Sequence, residues 1–312
     1  MKSKAFASAF LLVALSSSLS AAAEKVTIMY TATAAFASAF VAKDQGFFEK
    51  HGVDVTLQLN PNTSLVATAV ASGSAEVGIT TPTVAFQAVD NGIPLQSFAS
   101  TNVFPDPSAA GLVVSPTSGI TGPKDLAGKK IGVPGIGGLL DVVMLEWVAV
   151  NGGDPSKINV VEISLPQTAD VLKSGQVDGV AGVDPFLSRA VDLGVGKLVG
   201  DFMTVVPPGT VGGIFVTTKA WADAHKDAIR GMQAALDDAL VYIKSNQDSA
   251  RASLAKYTTL PPKVVAGLKW PNLSTHLSPE TSLKFWNELA VRQKLINTPI
   301  DLKAFIIAYP GE

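Results

Sequence analysis

Three short segments of this sequence combine residue types and positions that suit the binding of a small molecule. The richest is a glycine-containing segment, Gly132 to Leu139, between a predicted strand and a predicted helix. Glycines let a ligand approach the backbone closely, and the free N–H groups at the start of a helix attract anions. A tight turn without a ligand is the alternative. We predict ligand contacts for five residues of this loop: Gly135, Ile136, Gly137, Gly138 and Leu139.

The other two segments lie where a predicted strand ends and a helix begins, the position at which open α/β sheets bind ligands. The hydroxyl groups of Thr80 and Thr81 would donate hydrogen bonds to a carboxylate or a sulfonate. Asp184 would either accept a hydrogen bond from an amine, amide or hydroxyl group of the ligand or only cap its own helix. Phe186 and Phe36 would pack against an apolar part of the ligand or belong to the core.

The sequence contains few residues or motifs suited to catalysis, to metal binding or to cofactor binding. Cysteine is absent, which excludes thiol catalysis and zinc–thiolate sites. The histidines His51, His225 and His276 are too scattered to form a metal-ligand pattern. A dinucleotide-binding pattern would need a third glycine where the chain has Leu140. We therefore predict no catalytic residue, no metal site and no cofactor, and a protein that is not an enzyme.

The first residues and the overall composition indicate an exported protein. Residues 1–23 combine a basic start, a short apolar run and small residues before Glu24. These features predict a cleaved signal peptide that directs the chain to the periplasm.

The net charge argues against a nucleic-acid-binding protein. With 24 basic and 26 acidic residues, the formal charge is −2, whereas proteins that bind nucleic acid usually carry an excess of basic residues. The 312 residues, 47% of them apolar, suffice for one or two domains.

Short β-rich runs alternate with helical patterns along most of the chain, which predicts an α/β fold with largely parallel sheets. One helix is predicted from Phe36 to His51. Ser278-Pro279 and Thr298-Pro299 are predicted to open two helices of a mainly helical last third. Residues 72–82 and 174–185 share a pattern of Ser-Gly, acid, short strand and capped helix. This pattern indicates either two similar lobes, each pointing a helix N-terminus at a shared cleft, or the common form of βα loops.

Several motifs resemble those of the nitrate/sulfonate/taurine/bicarbonate family of solute-binding proteins, which serve ABC importers. The matching segments follow the order found in that family and comprise residues 42–53, 73–78, 125–133 and 175–186. Among them are a Gly-Phe-Phe followed by Gly-Val, an Asp-Leu-Ala-Gly-Lys-Lys-Ile-Gly-Val run and an Asp-Pro-Phe. The resemblance implies a type II, two-lobed periplasmic-binding-protein fold in which the chain crosses twice between the lobes. Lobe one would contain residues 24–109 and 211–312, and lobe two residues 110–210.

The same resemblance implies where the ligand lies and which partners the protein has. Family ligands contact loops that correspond here to the glycine-rich loop, to Thr80-Thr81, to Asp184 and to the segment with Thr31, Thr33 and Phe36. Many members have serine or threonine where this chain has Ile136-Gly137-Gly138, which favours a bulkier, less polar organic acid, either a sulfonate or a carboxylate. The implied partners are this small-molecule ligand and an ABC permease with its ATPase, and the protein is expected to be a monomer.

Two other functions predict similar sequence features. A protein that binds the thiamine pyrimidine precursor, or the related synthase, shares this architecture, although the synthase relies on a cysteine-rich motif that this chain lacks. A sensory module that presents its ligand to a membrane receptor would have the same fold and the same cleft.

Overall fold

The computed structural model describes residues 23–105, 110–258, 260, 262–278 and 281–309, and its strands form two five-stranded sheets. The strand bounds are β1 (Glu24–Tyr30), β2 (Val53–Leu59), β3 (Val77–Thr80), β4 (Leu95–Ser100), β5 (Ala110–Val114), β6 (Lys130–Val133), β7 (Asn159–Glu162), β8 (Gly179–Val183), β9 (Lys197–Gly200) and β10 (Ile214–Thr218). The strand order is β2-β1-β3-β10-β4 in the first sheet and β7-β6-β8-β5-β9 in the second.

The two sheets have the same mixed topology. In each, three neighbouring strands run parallel, and the fourth strand, β10 or β5, runs antiparallel to both of its neighbours. The chain leaves the first sheet after β4 and returns to it with β10, which confirms the predicted α/β fold of two lobes with two crossovers. The pattern shared by residues 72–82 and 174–185 falls on equivalent strands, β3 and β8. The lobe limits near residues 109 and 210 stay a prediction.

Helices pack against both sheets. The α-helices of the described residues are α1 (Ala37–Asp44), α2 (Phe47–Lys50), α3 (Ser64–Ala71), α4 (Pro82–Asp90), α5 (Leu139–Val150), α6 (Thr168–Lys173), α7 (Phe186–Asp192), α8 (Lys219–Ala224), α9 (Lys226–Ser245), α10 (Gln247–Thr258), α11 (Pro262–Gly267), α12 (Lys284–Arg292) and α13 (Leu302–Phe305). Short 3-10 helices cover Ala34–Phe36, Pro123–Leu126, Pro155–Lys157, Leu165–Gln167 and Phe202–Val205. No helix in this part of the chain is long and apolar enough to cross a membrane.

The helix predicted from Phe36 to His51 is divided in the structure. Gly46 adopts a left-handed conformation with φ of 71°, which ends the first helical segment and separates α1 from α2. At the predicted start Ser278-Pro279, the proline lies outside the described residues, and the next helix, α12, begins at Lys284. Residues 1–22 of the predicted signal peptide also lie outside the described residues.

The prediction that Thr298-Pro299 opens a helix is wrong. The last helix, α13, begins at Leu302, three residues after the proline. Its start is set by Asp301, whose side chain accepts hydrogen bonds from the N–H groups of Lys303 and Ala304. A side-chain cap therefore decides where this helix begins, and the proline precedes it in an irregular segment.

The two chain connections between the lobes pair with each other. Val103 of the first connection forms a β-bridge with Val211 of the second, and the Phe104 N–H donates to the Thr210 carbonyl oxygen at 2.8 Å. On its other side, the first connection forms a bridge between Asn102 and Leu273. The connections and this C-terminal segment thus form a narrow ribbon, which is a suitable place for a hinge.

Candidate ligand-binding site

A cavity of about 220 Å³ lies between the two lobes. Its walls contain the segments that follow the C-terminal ends of β1, β3, β6, β8 and β9, the edge at which open α/β sheets bind ligands. Most of the wall is apolar, with side chains such as Phe36, Phe104, Leu140 and Met203. The polar lining residues are Thr31, Thr33, Asn60, Thr63, Thr81, Asn102, Ser164, Asp184 and Asp201.

The structure brings most of the predicted site residues together at this cavity. The first lobe contributes the segment after β1 and the residue after β3, and the second lobe contributes the glycine-rich loop and the residue after β8. The predicted residues that line the cavity are Thr31, Thr33, Phe36, Thr81, Gly135, Gly138, Leu139 and Asp184. Their shared location agrees with a common ligand, and their individual contacts with it stay a prediction.

Four predicted residues do not line the cavity. The Thr80 and Phe186 side chains are buried in the interiors of the lobes, at 0% and 4% exposure. Ile136 is 52% exposed and is not one of the lining residues. Gly137 is turned toward α4 of the other lobe, because its carbonyl oxygen is the acceptor of two side chains there.

The glycine-rich loop offers fewer free N–H groups than its sequence suggests. The Ile136 N–H donates to Glu162 Oε1 at 3.0 Å, and the Gly137 N–H donates to Asp141 Oδ2 at 2.8 Å. The Gly138 N–H donates to the Gly135 carbonyl oxygen. An anion at this loop would therefore have to bind the first turn of α5, where the backbone N–H groups have no acceptor within the helix.

The same loop forms contacts between the lobes. The Thr83 hydroxyl donates to the Gly137 carbonyl oxygen at 2.7 Å, and Gln87 Nε2 donates to the same oxygen at 3.2 Å. Nearby, the Ser64 hydroxyl donates to Glu162 Oε1 at 2.9 Å. These bonds join α3 and α4 of the first lobe to the second lobe beside the cavity, so the structure represents a closed arrangement of the lobes.

Asp184 both caps a helix and lines the cavity. Its Oδ1 accepts hydrogen bonds from the backbone N–H of Ser188 at 3.0 Å and from the Ser188 hydroxyl at 2.8 Å. These bonds satisfy one donor of the first turn of α7. Because only Oδ1 is used in this way, the two roles that the sequence left open for Asp184 are compatible.

Asp201 is a cavity residue that the sequence reasoning missed. It directly follows β9, as Asp184 directly follows β8, and its Oδ1 accepts a hydrogen bond from the Met203 N–H at 2.8 Å. The same rule of strand ends would have found it, but β9 was not recognised as a strand. Other lining residues that were not predicted as contacts are Asn60, Asn102, Leu165 and Met203.

A buried carboxylate, Asp141, lies beside the cavity wall in the first turn of α5. It is 3% exposed, and its Oδ1 has no hydrogen-bond partner in the described part of the chain. Burial raises the pKa of Asp141 to about 6, and the negative charge of Glu162 adds to this, while the Gly137 N–H acts in the opposite direction. The raised pKa means that the folded protein holds this proton more tightly than the unfolded chain does.

We expect Asp141 to make the folded protein less stable as the pH rises from about 4 to about 6. Its contribution is fully present below the pKa of the unfolded chain and is lost as the pH passes the folded value. A shift of this size corresponds to roughly 2–3 kcal/mol. Asp141→Asn removes the titration and keeps an oxygen for the Gly137 N–H. Urea unfolding of both proteins should therefore show that the wild type loses more stability than the variant between pH 4 and pH 7.5. Equal losses in the two proteins would contradict a raised pKa for Asp141.

The described residues contain no group of three or more histidine, aspartate or glutamate side chains arranged to hold a metal ion.

Comparison with family models matches residues 33–250 to a family described as NMT1/THI5 like. Among curated proteins, the 4-amino-5-hydroxymethyl-2-methylpyrimidine phosphate synthase of Schizosaccharomyces pombe is 28% identical over 46% of this chain and 40% of its own length. A putative thiamine biosynthesis protein of Haemophilus influenzae is 31% identical over 52% of this chain and 50% of its own length. The chain thus matches half or less of the length of these relatives.

Solved structures share the fold over nearly the whole chain. The alkanesulfonate-binding protein SsuA from Xanthomonas axonopodis pv. citri, bound to MOPS, has a TM-score of 0.77 and 22% identity and covers 92% of this chain and 99% of its own. The periplasmic nitrate-binding protein NrtA from Synechocystis has a TM-score of 0.75 and 15% identity, covering 90% and 84%. At these identities the shared property is the two-lobed periplasmic-binding-protein fold.

Proposed function

The chain belongs to the NMT1/THI5-like family, and on this premise we propose that it is the solute-binding component of an ABC-type importer. It captures a small organic molecule in the cavity between its lobes. The observation that carries the proposal is this cavity of about 220 Å³, which both lobes line and which the interlobe bonds of Gly137 and Glu162 close off on one side. A ligand that touches both lobes favours the closed state, because those contacts exist only there.

The lining favours a ligand with an apolar body and a few polar groups. Phe36, Phe104 and Met203 would pack against the apolar part, while threonine and asparagine side chains would bind the polar groups. An organic acid, the class predicted from the sequence, would have to place its charge at the first turn of α5. An amino-substituted heterocycle, such as a thiamine pyrimidine precursor, is the second candidate class and is favoured by the curated relatives and by Asp184 in the wall.

A binding role is favoured over catalysis by the chemistry of the wall. Among the described lining residues there is no cysteine, histidine or lysine, and the carboxylates of Asp184 and Asp201 each use one oxygen to accept hydrogen bonds from their own loops. Export is favoured by the basic and apolar start of the sequence, and the fold is that of periplasmic proteins. The closed form would dock, as a monomer, on a membrane permease driven by an ATPase; a sensory receptor is the alternative partner.

A thermal-shift screen tests the binding function. The protein lacking residues 1–23 is unfolded and refolded to remove carried-over ligand and is then heated with sulfonates, carboxylates, nitrate, bicarbonate, amines and pyrimidines. We expect one class to raise the melting temperature, since a ligand at 100 times its dissociation constant adds about 2.7 kcal/mol to the stability.

The state of the ligand after binding separates the two main functions. A ligand that is recovered unchanged by mass spectrometry agrees with capture and transport. A ligand that is converted during incubation would show that the protein is an enzyme. No thermal shift with any class would argue against a small-molecule site in this cavity.

A further inference from the structure

We propose that the ligand carries two separated amino groups, or equivalent N–H donors, and that Asp184 binds one of them while Asp201 binds the other. This inference rests on the proposed binding function, because it concerns the same cavity. It departs from the organic acid predicted from the sequence. Its basis is the charge of the cavity wall, the hydrogen bonding of the two carboxylates and their separation on the second sheet.

The charge of the wall disfavours an anion. Among the lining residues that the structure describes, Asp184 and Asp201 are the charged side chains, and no lysine, arginine or histidine accompanies them. The first turn of α5 provides an opposing partial charge of only about +0.5 at a helix N-terminus. The two full negative charges, on the half-buried Asp184 and the exposed Asp201, outweigh this partial charge. A cationic or amine-bearing ligand is therefore favoured over a sulfonate or a carboxylate.

Both carboxylates have an oxygen available to the ligand. Each uses Oδ1 to accept hydrogen bonds from its own loop, at Ser188 or at Met203, which fixes the orientation of the carboxylate. In the described part of the chain, Oδ2 of neither carboxylate accepts a hydrogen bond from the protein. When a ligand fills the cavity and displaces water, an acceptor left without a donor costs free energy. An N–H group of the ligand at each Oδ2 removes that cost.

The strand pairing sets the distance between the two carboxylates. β8 and β9 are both antiparallel neighbours of β5, so Asp184 and Asp201 follow strands that end at the same edge of the sheet with one strand between them. Val183 pairs with Ala110 and Gly200 with Leu112, so the two positions are also offset by two residues along β5. From standard strand spacing and rise, their Cα atoms are about 12 Å apart. One donor therefore cannot bind both carboxylates directly, and the ligand needs two.

The test uses α,ω-diaminoalkanes of increasing length, with the monoamine and the dicarboxylate of each length as matched probes. In the wild-type protein, calorimetry should show that diamines bind more tightly than monoamines, with an optimum length, and that dicarboxylates do not bind. Asp201→Asn keeps the cap of its loop, because asparagine also caps, but it removes the charge. We expect this variant to bind the best diamine about ten- to a hundredfold more weakly and no better than the monoamine.

Asp192→Asn serves as the matched control, since Asp192 is an exposed acid on α7 of the same lobe and does not line the cavity. It should leave the affinity for diamines unchanged. Binding of dicarboxylates, or unchanged diamine affinity in Asp201→Asn, would overturn the two-donor proposal. If diamines fail while another compound of the thermal-shift screen binds, this inference fails and the binding function stands. If no compound binds at all, the binding function itself fails.

Discussion

Replacing Gly137 by aspartate should lower the apparent affinity for the ligand by at least about tenfold. The backbone of Gly137 has φ of +73°, and a Cβ atom there would lie 2.6 Å from Gln87 Nε2. The clash of the new Cβ atom with Gln87 and the loss of the buried Thr83 hydrogen bond together cost roughly 2–3 kcal/mol. The cost falls on the closed arrangement, because Thr83 and Gln87 belong to the other lobe. The added charge also lies near Asp141, which accepts the Gly137 N–H.

The control for this experiment is Gly119→Asp. Gly119 has the same φ of +73°, but a Cβ atom added there would meet no heavy atom within 4 Å. It therefore shares the backbone strain without the contact between the lobes, and its ligand affinity should match that of the wild type. Small-angle scattering without ligand should show a larger open fraction for Gly137→Asp. Equal loss of affinity in both variants would show that the interlobe contact has no role in binding.

Thr83→Val separates the hydrogen bond from the strain, because valine replaces threonine at nearly the same shape. This variant should retain the backbone of Gly137 and lose its 2.7 Å bond from the Thr83 hydroxyl. The sequence indicates that the glycine-rich loop contacts the ligand. The structure gives Gly137 a different role, because its carbonyl oxygen joins the two lobes.

Much of the fold follows from local sequence signals. The sequence predicts a strand over residues 26–30, a helix over 139–150 and a helix start at Thr81-Pro82. The structure has β1, α5 and α4 at or close to these places, because hydrophobic periodicity and cap residues act within a few positions. The cavity residues Thr81 and Asp184 follow from the rule that ligands bind at strand ends. Local rules thus give most of the strands and several of the strand ends at which the cavity lies.

The features that depend on distant partners were not predictable in the same way. The Gly137 carbonyl is bound by Thr83 and the Ile136 N–H by Glu162, and no local pattern in the loop indicates either partner. Asp201 was missed because β9 is short and begins with an exposed lysine, so it has little hydrophobic signal. The charge balance of the cavity, which depends on Asp184 and Asp201 together, emerges only from the order of strands in the second sheet.

Replacing Trp286 by alanine should lower the free energy of unfolding by about 3–5 kcal/mol, the largest stability loss expected for a single side chain here. Trp286 is fully buried, packs in the apolar core shared by the two lobes, and donates its indole N–H to the Val211 carbonyl oxygen at 2.7 Å. The variant leaves a large volume empty where the indole ring was. It also leaves the Val211 carbonyl oxygen without its donor, and Val211 belongs to the connection between the lobes that pairs with Val103.

Two further variants divide this loss into its parts. Trp286→Phe keeps much of the apolar contact and removes the N–H, so it should lose only about 1–3 kcal/mol. Trp221→Ala is the control for a tryptophan that is only partly buried and stacks on His225, and it should lose less than Trp286→Ala. Urea unfolding measures all three changes, provided that the m-values agree. A loss below about 1 kcal/mol for Trp286→Ala would mean that the shared core does not hold α12 to the hinge.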